Sequence, residues 1–337
     1  MLRNRIYYWL KPLLPRVLRL AIRRQIALRI LKRVGHIWPI LPGSEKPPEG
    51  WRGWPEGRKF TVVLSHDVEG QKGVDRVRAL AELEMELGFR SSFNFIPEGE
   101  YQVPKELRDW LTEHGFEVGV HDLHHDGKLY RSRTDFKKNA NQINRYLKEW
   151  GAVGFRSGFM LHNLEWIHDL NIKYDASTFD TDPFEPQPDN AGTIFPFWVP
   201  FPDGEVSVST SAAAGDFTGY MELPYTLAQD STLFLVLKEQ GINVWKQKFD
   251  WLAEHGGMAL LNVHPDYINF EAGRYQNGEF SVAHYRAFLE YVRTFPSGEY
   301  WHALPRDIAE LCAPLTNCER STSRKSFSAA PAGAKPR

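Results

Sequence analysis

Two carboxylates two residues apart, Asp67 and Glu69, follow the apolar run FTVVLS at 60–65. In an extended chain, side chains two apart face the same side. One of the pair could therefore bind a metal while the other takes a proton; a solvated acidic turn is the plainer alternative. Two histidines four apart, His121 and His125, follow EVGV at 117–120. That spacing puts both imidazoles on one side of a helical turn, where they can share a metal, although with 12 histidines in the chain it also arises by chance. Arg156 sits in the short run GFR. An inward guanidinium needs an acid partner, so it either holds a carboxylate or faces water from an edge strand. Asp175 lies in YDAST, and His264 follows MALLNV, where it would otherwise be a packed histidine. His124 is expected to point away from its neighbour, into solvent.

The elements around these residues decide whether they meet. Short apolar runs read as strands at 60–65, 91–97, 117–120, 154–156, 174–178, 258–263 and YWHAL, with ELPYT (222–226) extended. Helical spacing or composition alternates with them at 73–87, 104–114, 134–149, 163–170, 243–255, 281–294 and from Pro305. Repeated β-then-α units predict an α/β fold with parallel strands, and about seven of them suit a barrel better than an open sheet. In such folds functional groups gather just past the C-terminal strand ends. Five strand ends here deliver charged or titratable groups to that one face: Asp67 and Glu69, His121 and His125, Arg156, Asp175, and His264.

Together these segments resemble the motifs of the polysaccharide deacetylase family, also called the NodB-homology or carbohydrate esterase family 4 group. LSHDVEG resembles the first motif, and GVHDLHH the second, His-Ser/Thr-x-x-His. SSFNFIPEG resembles the strand between them, GFRSGF the Arg-containing third motif, YDAST the Asp-x-Ser fourth, and LLNVHP the Leu-x-His-Pro fifth. The resemblance spans about residues 60–310 and implies a deformed parallel (β/α) barrel of the NodB type. It also implies one divalent ion, zinc or else Co, Ni, Mn or Fe, held by one carboxylate and two histidines. By resemblance, Glu69, His121 and His125 are the ligands, and Asp67 is the general base, held by Arg156. His264 is the general acid, oriented and charged by Asp175.

This sequence departs from the family at three places. Glu69 stands where a shorter Asp is usual, which leaves open whether Glu69 or Asp67 is the carboxylate ligand. Asp122 replaces the Ser/Thr after His121 and is expected to accept from an imidazole N–H behind the metal. The third motif has Ser157-Gly158-Phe159 without its usual Pro, which predicts a reshaped groove wall. The expected reaction is N-deacetylation of an acetylated amino sugar in a glycan or a glycan precursor. Alternatives are hydrolysis of a small cyclic amide or ureide on the same fold, and a catalytically silent barrel that binds glycan or scaffolds an assembly. Against the silent barrel, base, acid and ligand positions are all filled by competent residues. No substrate-binding residue is read from the sequence.

Composition frames the rest. With 337 residues, 42% of them hydrophobic, the chain can bury a large core. Residues 1–44 hold ten Lys/Arg and no acid, whereas residues 45–315 hold 26 basic and 41 acidic residues. A basic arm on an acidic body suggests that the arm meets an anionic membrane surface or a partner protein, and argues against nucleic acid as a ligand. The expected organisation is a basic arm and Pro/Gly linker over 1–50, a catalytic domain over 51–315, and a basic, disordered tail over 316–337. Within the arm, residues 16–34 have helix-forming composition. Arginines interleave with Leu and Ile on every side, so no clean apolar face is expected. A helix packed on the body or a partner, with arginines reaching outward, is an equal reading. Cys312 and Cys318 are too close in sequence to staple the fold. That usage, with neither a signal-peptide pattern nor a long uncharged apolar run, predicts a cytoplasmic protein, membrane-associated at most.

Overall fold

The computed structural model describes residues 16–202, 219–271 and 278–313. Residues 1–15 of the basic arm, and the tail at 316–337 with Cys318, lie outside the described residues.

A nine-stranded, curled sheet forms the centre. β1 (Phe60–Val68) pairs along one edge with β8 (Met258–Val263), and along the other with β11 (Tyr300–Ala303) and then β2 (Ser92–Phe95). From β2 the sheet continues through β3 (Glu117–His121), β4 (Gly154–Arg156), β5 (Tyr174–Asp175) and β7 (Gly219–Glu222). All these pairings are parallel; only β6 (Phe197–Pro200) runs antiparallel, on β7. The chain beyond β7 then closes the ring, because the Thr226 and Leu227 amides both donate to the Leu260 carbonyl on β8. The result is the deformed parallel (β/α) barrel that the alternating pattern predicts.

The central strands form because they are mainly apolar. Every residue of β1 and β8 is buried, as parallel strands covered on both faces require. Helices cover the outside: α2 (Gln71–Leu87), α3 (Lys105–Glu113), α4 (Arg133–Trp150), α5 (Asn243–His255), α6 (Val282–Val292) and α7 (Pro305–Cys312). In α2, Val74, Val77, Leu80, Ala81 and Leu87 recur at helical spacing and are buried. Gly88 ends it in the left-handed region at φ 82°. Its start has no side-chain cap of its own. Asp266, arriving from the far end of β8, accepts from the Gly73 amide at 3.2 Å and the Glu69 amide at 2.8 Å. One carboxylate thus caps a helix and pins the backbone of a candidate ligand. A small parallel pair, β9 (Ile268–Asn269) and β10 (Phe280–Ser281), lies beside this corner.

Two expectations change. The helix expected at 163–170 is only a 3-10 turn over Trp166–Asp169. The Asn144 side chain takes the Asp169 carbonyl at 2.8 Å and the Asn171 amide at 2.7 Å, which draws the chain out of helical pairing. The stretch after Val34 is also no loose linker. Trp38 packs edge-on against Phe184 at 5.1 Å, the Ile194 amide donates to the Ser44 carbonyl at 3.0 Å, and Trp54 Nε1 donates to the Gly256 carbonyl at 2.8 Å. Ahead of it, α1 (Arg16–Val34) lies against a π-helical turn at Ser231–Leu237, with Ala27 buried. Among the described residues, no helix is long and apolar enough to cross a membrane.

Candidate active site

The parallel strands end at one mouth of the barrel. Asp67 ends up buried there, 2% exposed. It stands directly opposite Asn94 on β2, whose Nδ2 donates to its Oδ1 at 3.0 Å. Asn262 on β8 donates to Oδ2 at 2.8 Å. Gly119 makes room for this arrangement, since a Cβ there would come within 2.2 Å of Asn94 Oδ1. Arg156 Nε lies 3.5 Å from Asp67 Oδ1, while the guanidinium also donates to Ser65 Oγ at 3.2 Å. The pairing that the sequence suggests between Arg156 and Asp67 is thus present as a buried ion pair. Burial pushes the Asp67 carboxyl up, but His121, Arg156 and His264 outweigh it and hold the group well below the usual carboxylate range.

Glu69, His121 and His125 come together beside Asp67, each offering one ligand atom within 4.8 Å of the others. His121 Nδ1 lies 3.0 Å from the Arg156 carbonyl. A carbonyl only accepts, so Nδ1 carries the proton and Nε2 presents a lone pair. That Nε2 is buried and has no hydrogen-bond partner. A buried, unpaired acceptor is costly, and a bound cation would satisfy it. His125 Nε2 lies 3.3 Å from Glu69 Oε1, and its ring stacks on Phe159 at 4.5 Å. Tyr267 donates its hydroxyl to Glu69 Oε2. Burial raises the Glu69 carboxyl, and His125, His264 and Tyr267 together bring it below its ordinary value. One carboxylate and two imidazoles suit a divalent ion of the zinc type and leave a further coordination position open. The carboxylate that meets both imidazoles is Glu69, not Asp67.

His264 faces the same cluster, with Nε2 3.9 Å from Glu69 Oε1. Its partner differs from the expected one. Nδ1 is 2.7 Å from Asp230 Oδ1, and the His264 amide donates to Asp230 Oδ2 at 2.8 Å. Burial alone would lower the imidazole, but the Asp230 carboxylate, helped by Glu69 and Asp67, raises it to about 10. Asp175 is turned elsewhere. It accepts from Ser177 Oγ at 2.6 Å and shares its buried surroundings with Glu222, where burial raises both carboxyls. Asp122 is likewise not the acceptor behind an imidazole, because the Arg156 carbonyl takes that place. Asp122 instead accepts from the Leu123 amide at 2.6 Å, and burial raises its carboxyl. His124 is exposed, as expected.

Asn94, Asn262 and Asp230 were missing from the sequence reading. The two asparagines had a signal: each is a polar residue inside an otherwise apolar parallel strand. Asp230 had only that of a helix N-cap, and its side chain does accept from the Ser231 amide.

The site opens into a cavity of about 800 Å³. Asp67, Glu69, His121, His125 and His264 line its floor, and α1 with the Ser231–Leu237 turn forms a wall. Glu185, also on the cavity, is raised to about 8, first by burial and then by the neighbouring Asp182.

Compared with protein-family models and with curated proteins, the sequence gives no match. Solved structures do match in shape. A polysaccharide deacetylase from Mycobacterium smegmatis, described as putative, aligns over 86% of this chain and 99% of its own, with a TM-score of 0.55 at 17% identity. The peptidoglycan deacetylase PdaC from Bacillus subtilis aligns over 80% of this chain and 98% of its own, with a TM-score of 0.42 at 12% identity. The first alignment fixes the fold: the chain has the barrel of a polysaccharide deacetylase.

Proposed function

We propose that this chain is a metal-dependent hydrolase that removes the acetyl group from an acetylated amino sugar in a glycan or glycan precursor. The observation that carries this reading is the orphaned Nε2 of His121, aimed at the point where Glu69 and His125 converge, with a base and an acid beside it. Glu69, His121 and His125 would hold a divalent ion, with zinc the first candidate; when bound, it would polarise the acyl group and ease ionisation of water. Asp67 is the base. Two asparagine amides and Arg156 fix its orientation, and its charge persists across the working pH range. His264 is the acid, kept cationic by Asp230 and placed to protonate the departing amine. An amine cannot leave an amide as the anion, so this proton is required.

The test uses an acetylated amino sugar and an aryl acetate as paired substrates, with acetate release as the readout. On the amide, His264→Ala should lower kcat by roughly 10²–10⁴-fold. On the aryl acetate, whose leaving group departs as an anion, the loss should be far smaller. Equal losses on both substrates would remove His264 from the acid role.

A further inference from the structure

The floor of the cavity is polar and charged, whereas the wall rising from it is mostly apolar, with Arg23 on α1 and Ser231 and Thr232 on the facing turn as its polar members. α1 contributes Leu20, Ile26, Ala27 and Ile30, and the facing turn contributes Leu235 and Val236. On α1, positions 20, 27 and 30, with 26 beside them, recur at the spacing of one helix face. Of the arginines scattered around the helix, Arg23 lies on the same face and reaches the cavity among these apolar side chains. Ile26 and Ile30 also border a second groove on the outside of α1, together with Ile22. The apolar track thus runs from the catalytic floor, past α1, to the surface.

The stretch formed by Leu20, Ile26, Ala27, Ile30, Leu235 and Val236 does not suit a sugar. Sugar hydroxyls pressed against leucine and isoleucine would lose water and gain no hydrogen bond, a net cost. A hydrocarbon would lose nothing there and would be removed from water. The cavity is also roomy, near the upper end of the ~300–1,000 Å³ typical of ligand sites.

We infer that the substrate is an amphiphile: an acetylated amino sugar whose head group sits at Glu69, His121 and His125 and whose hydrocarbon portion lies along α1. The basic arm is then a specificity element of the catalytic site. The identity of the head group rests on the deacetylase reading; the hydrocarbon track does not.

The full chain is tested with the methyl and octyl β-glycosides of N-acetylglucosamine, the octyl compound below its micelle concentration. Calorimetry measures binding and acetate release measures turnover. Octyl should bind roughly tenfold or more tighter than methyl, through burial of added methylenes. In the Ile26→Gln/Ile30→Gln double variant that ratio should fall to about one, with the thermal unfolding midpoint unchanged. A wild-type ratio near one overturns the inference without any variant. A tenfold ratio that survives the double substitution overturns it as well, because the chain then lies elsewhere. If neither glycoside releases acetate while octyl binding still depends on α1, the deacetylase reading fails for this sugar and the hydrocarbon track stands.

Discussion

Asp67 on β1 and Asp175 on β5 are both fully buried carboxylates at the mouth of one parallel sheet, yet their environments push them in opposite directions. Asp67 meets Arg156, two asparagine amides and two imidazoles, and is held ionised. Asp175 meets a serine and a second acid, Glu222, and burial wins. The Glu222 carboxyl is raised by burial and further by the neighbouring Asp175. Burial therefore does not decide the state of a carboxylate; the groups that replace its water do. One position is built to carry charge and accept a proton; at the other, burial favours the protonated form.

The largest expected effect follows from that contrast. Asp67→Asn keeps the size and one acceptor but cannot take a proton, so kcat should fall by roughly 10²–10⁴-fold with the metal still bound. Activity near wild type would erase the difference between the two carboxylates.

A middle effect separates Asp230 from Asp175. Asp230→Asn removes the charge beside His264, so its imidazole should lose its proton at lower pH. The sign follows directly: the acid form is needed, its pKa falls, and the alkaline limb of the kcat profile moves down by about 1–3 units. Asp175→Asn should leave that limb in place and change kcat by no more than about threefold, within the spread of an indirect effect. A limb that moves with Asp175 instead would restore the sequence-based pairing.

The smallest effect is on stability. A buried acid with a raised pKa binds protons that the unfolded chain has already released. Its stabilisation is present at low pH and fades as pH rises above the unfolded value, near 4.5 for Glu222. Glu222→Gln imitates the protonated form at every pH. It should match wild type at pH 5 and melt higher by roughly a few degrees at pH 8. A variant that melts lower at both pH values would mean that Glu222 is ionised and paired.

The same contrast shows what sequence can reveal. The barrel was legible because parallel strands such as FTVVLS and MALLNV are mainly apolar and alternate with helical patterns. Asp67, Glu69, His121, His125, Arg156 and His264 were legible because each closes such a run. Asp230 was not, because it lies 34 residues from His264 in a stretch with no clear period. Asp175 took its place by motif order, and only the turn of the chain after β7 shows which acid reaches the imidazole. The short strand at Tyr174–Asp175 was overextended for a related reason: Thr178 gives its amide and hydroxyl to Glu222 and not to a neighbouring strand. Packing of the arm on the body was only one of two readings, because its arginines hide the apolar face. Packing on the core selects Ala27 with Leu20, Leu28 and Leu31, and no periodicity in α1 alone announces that partner.

The proposed chemistry turns on whether the unpartnered Nε2 of His121 is a metal ligand. Elemental analysis of the full chain, purified without added metal, addresses that directly. The account predicts about one equivalent of a divalent transition metal per chain, falling below roughly a tenth in a His121→Ala/His125→Ala variant that still folds. Less than a tenth of an equivalent in the wild type, with no uptake and no activation by Zn, Co, Ni, Mn or Fe, would contradict it.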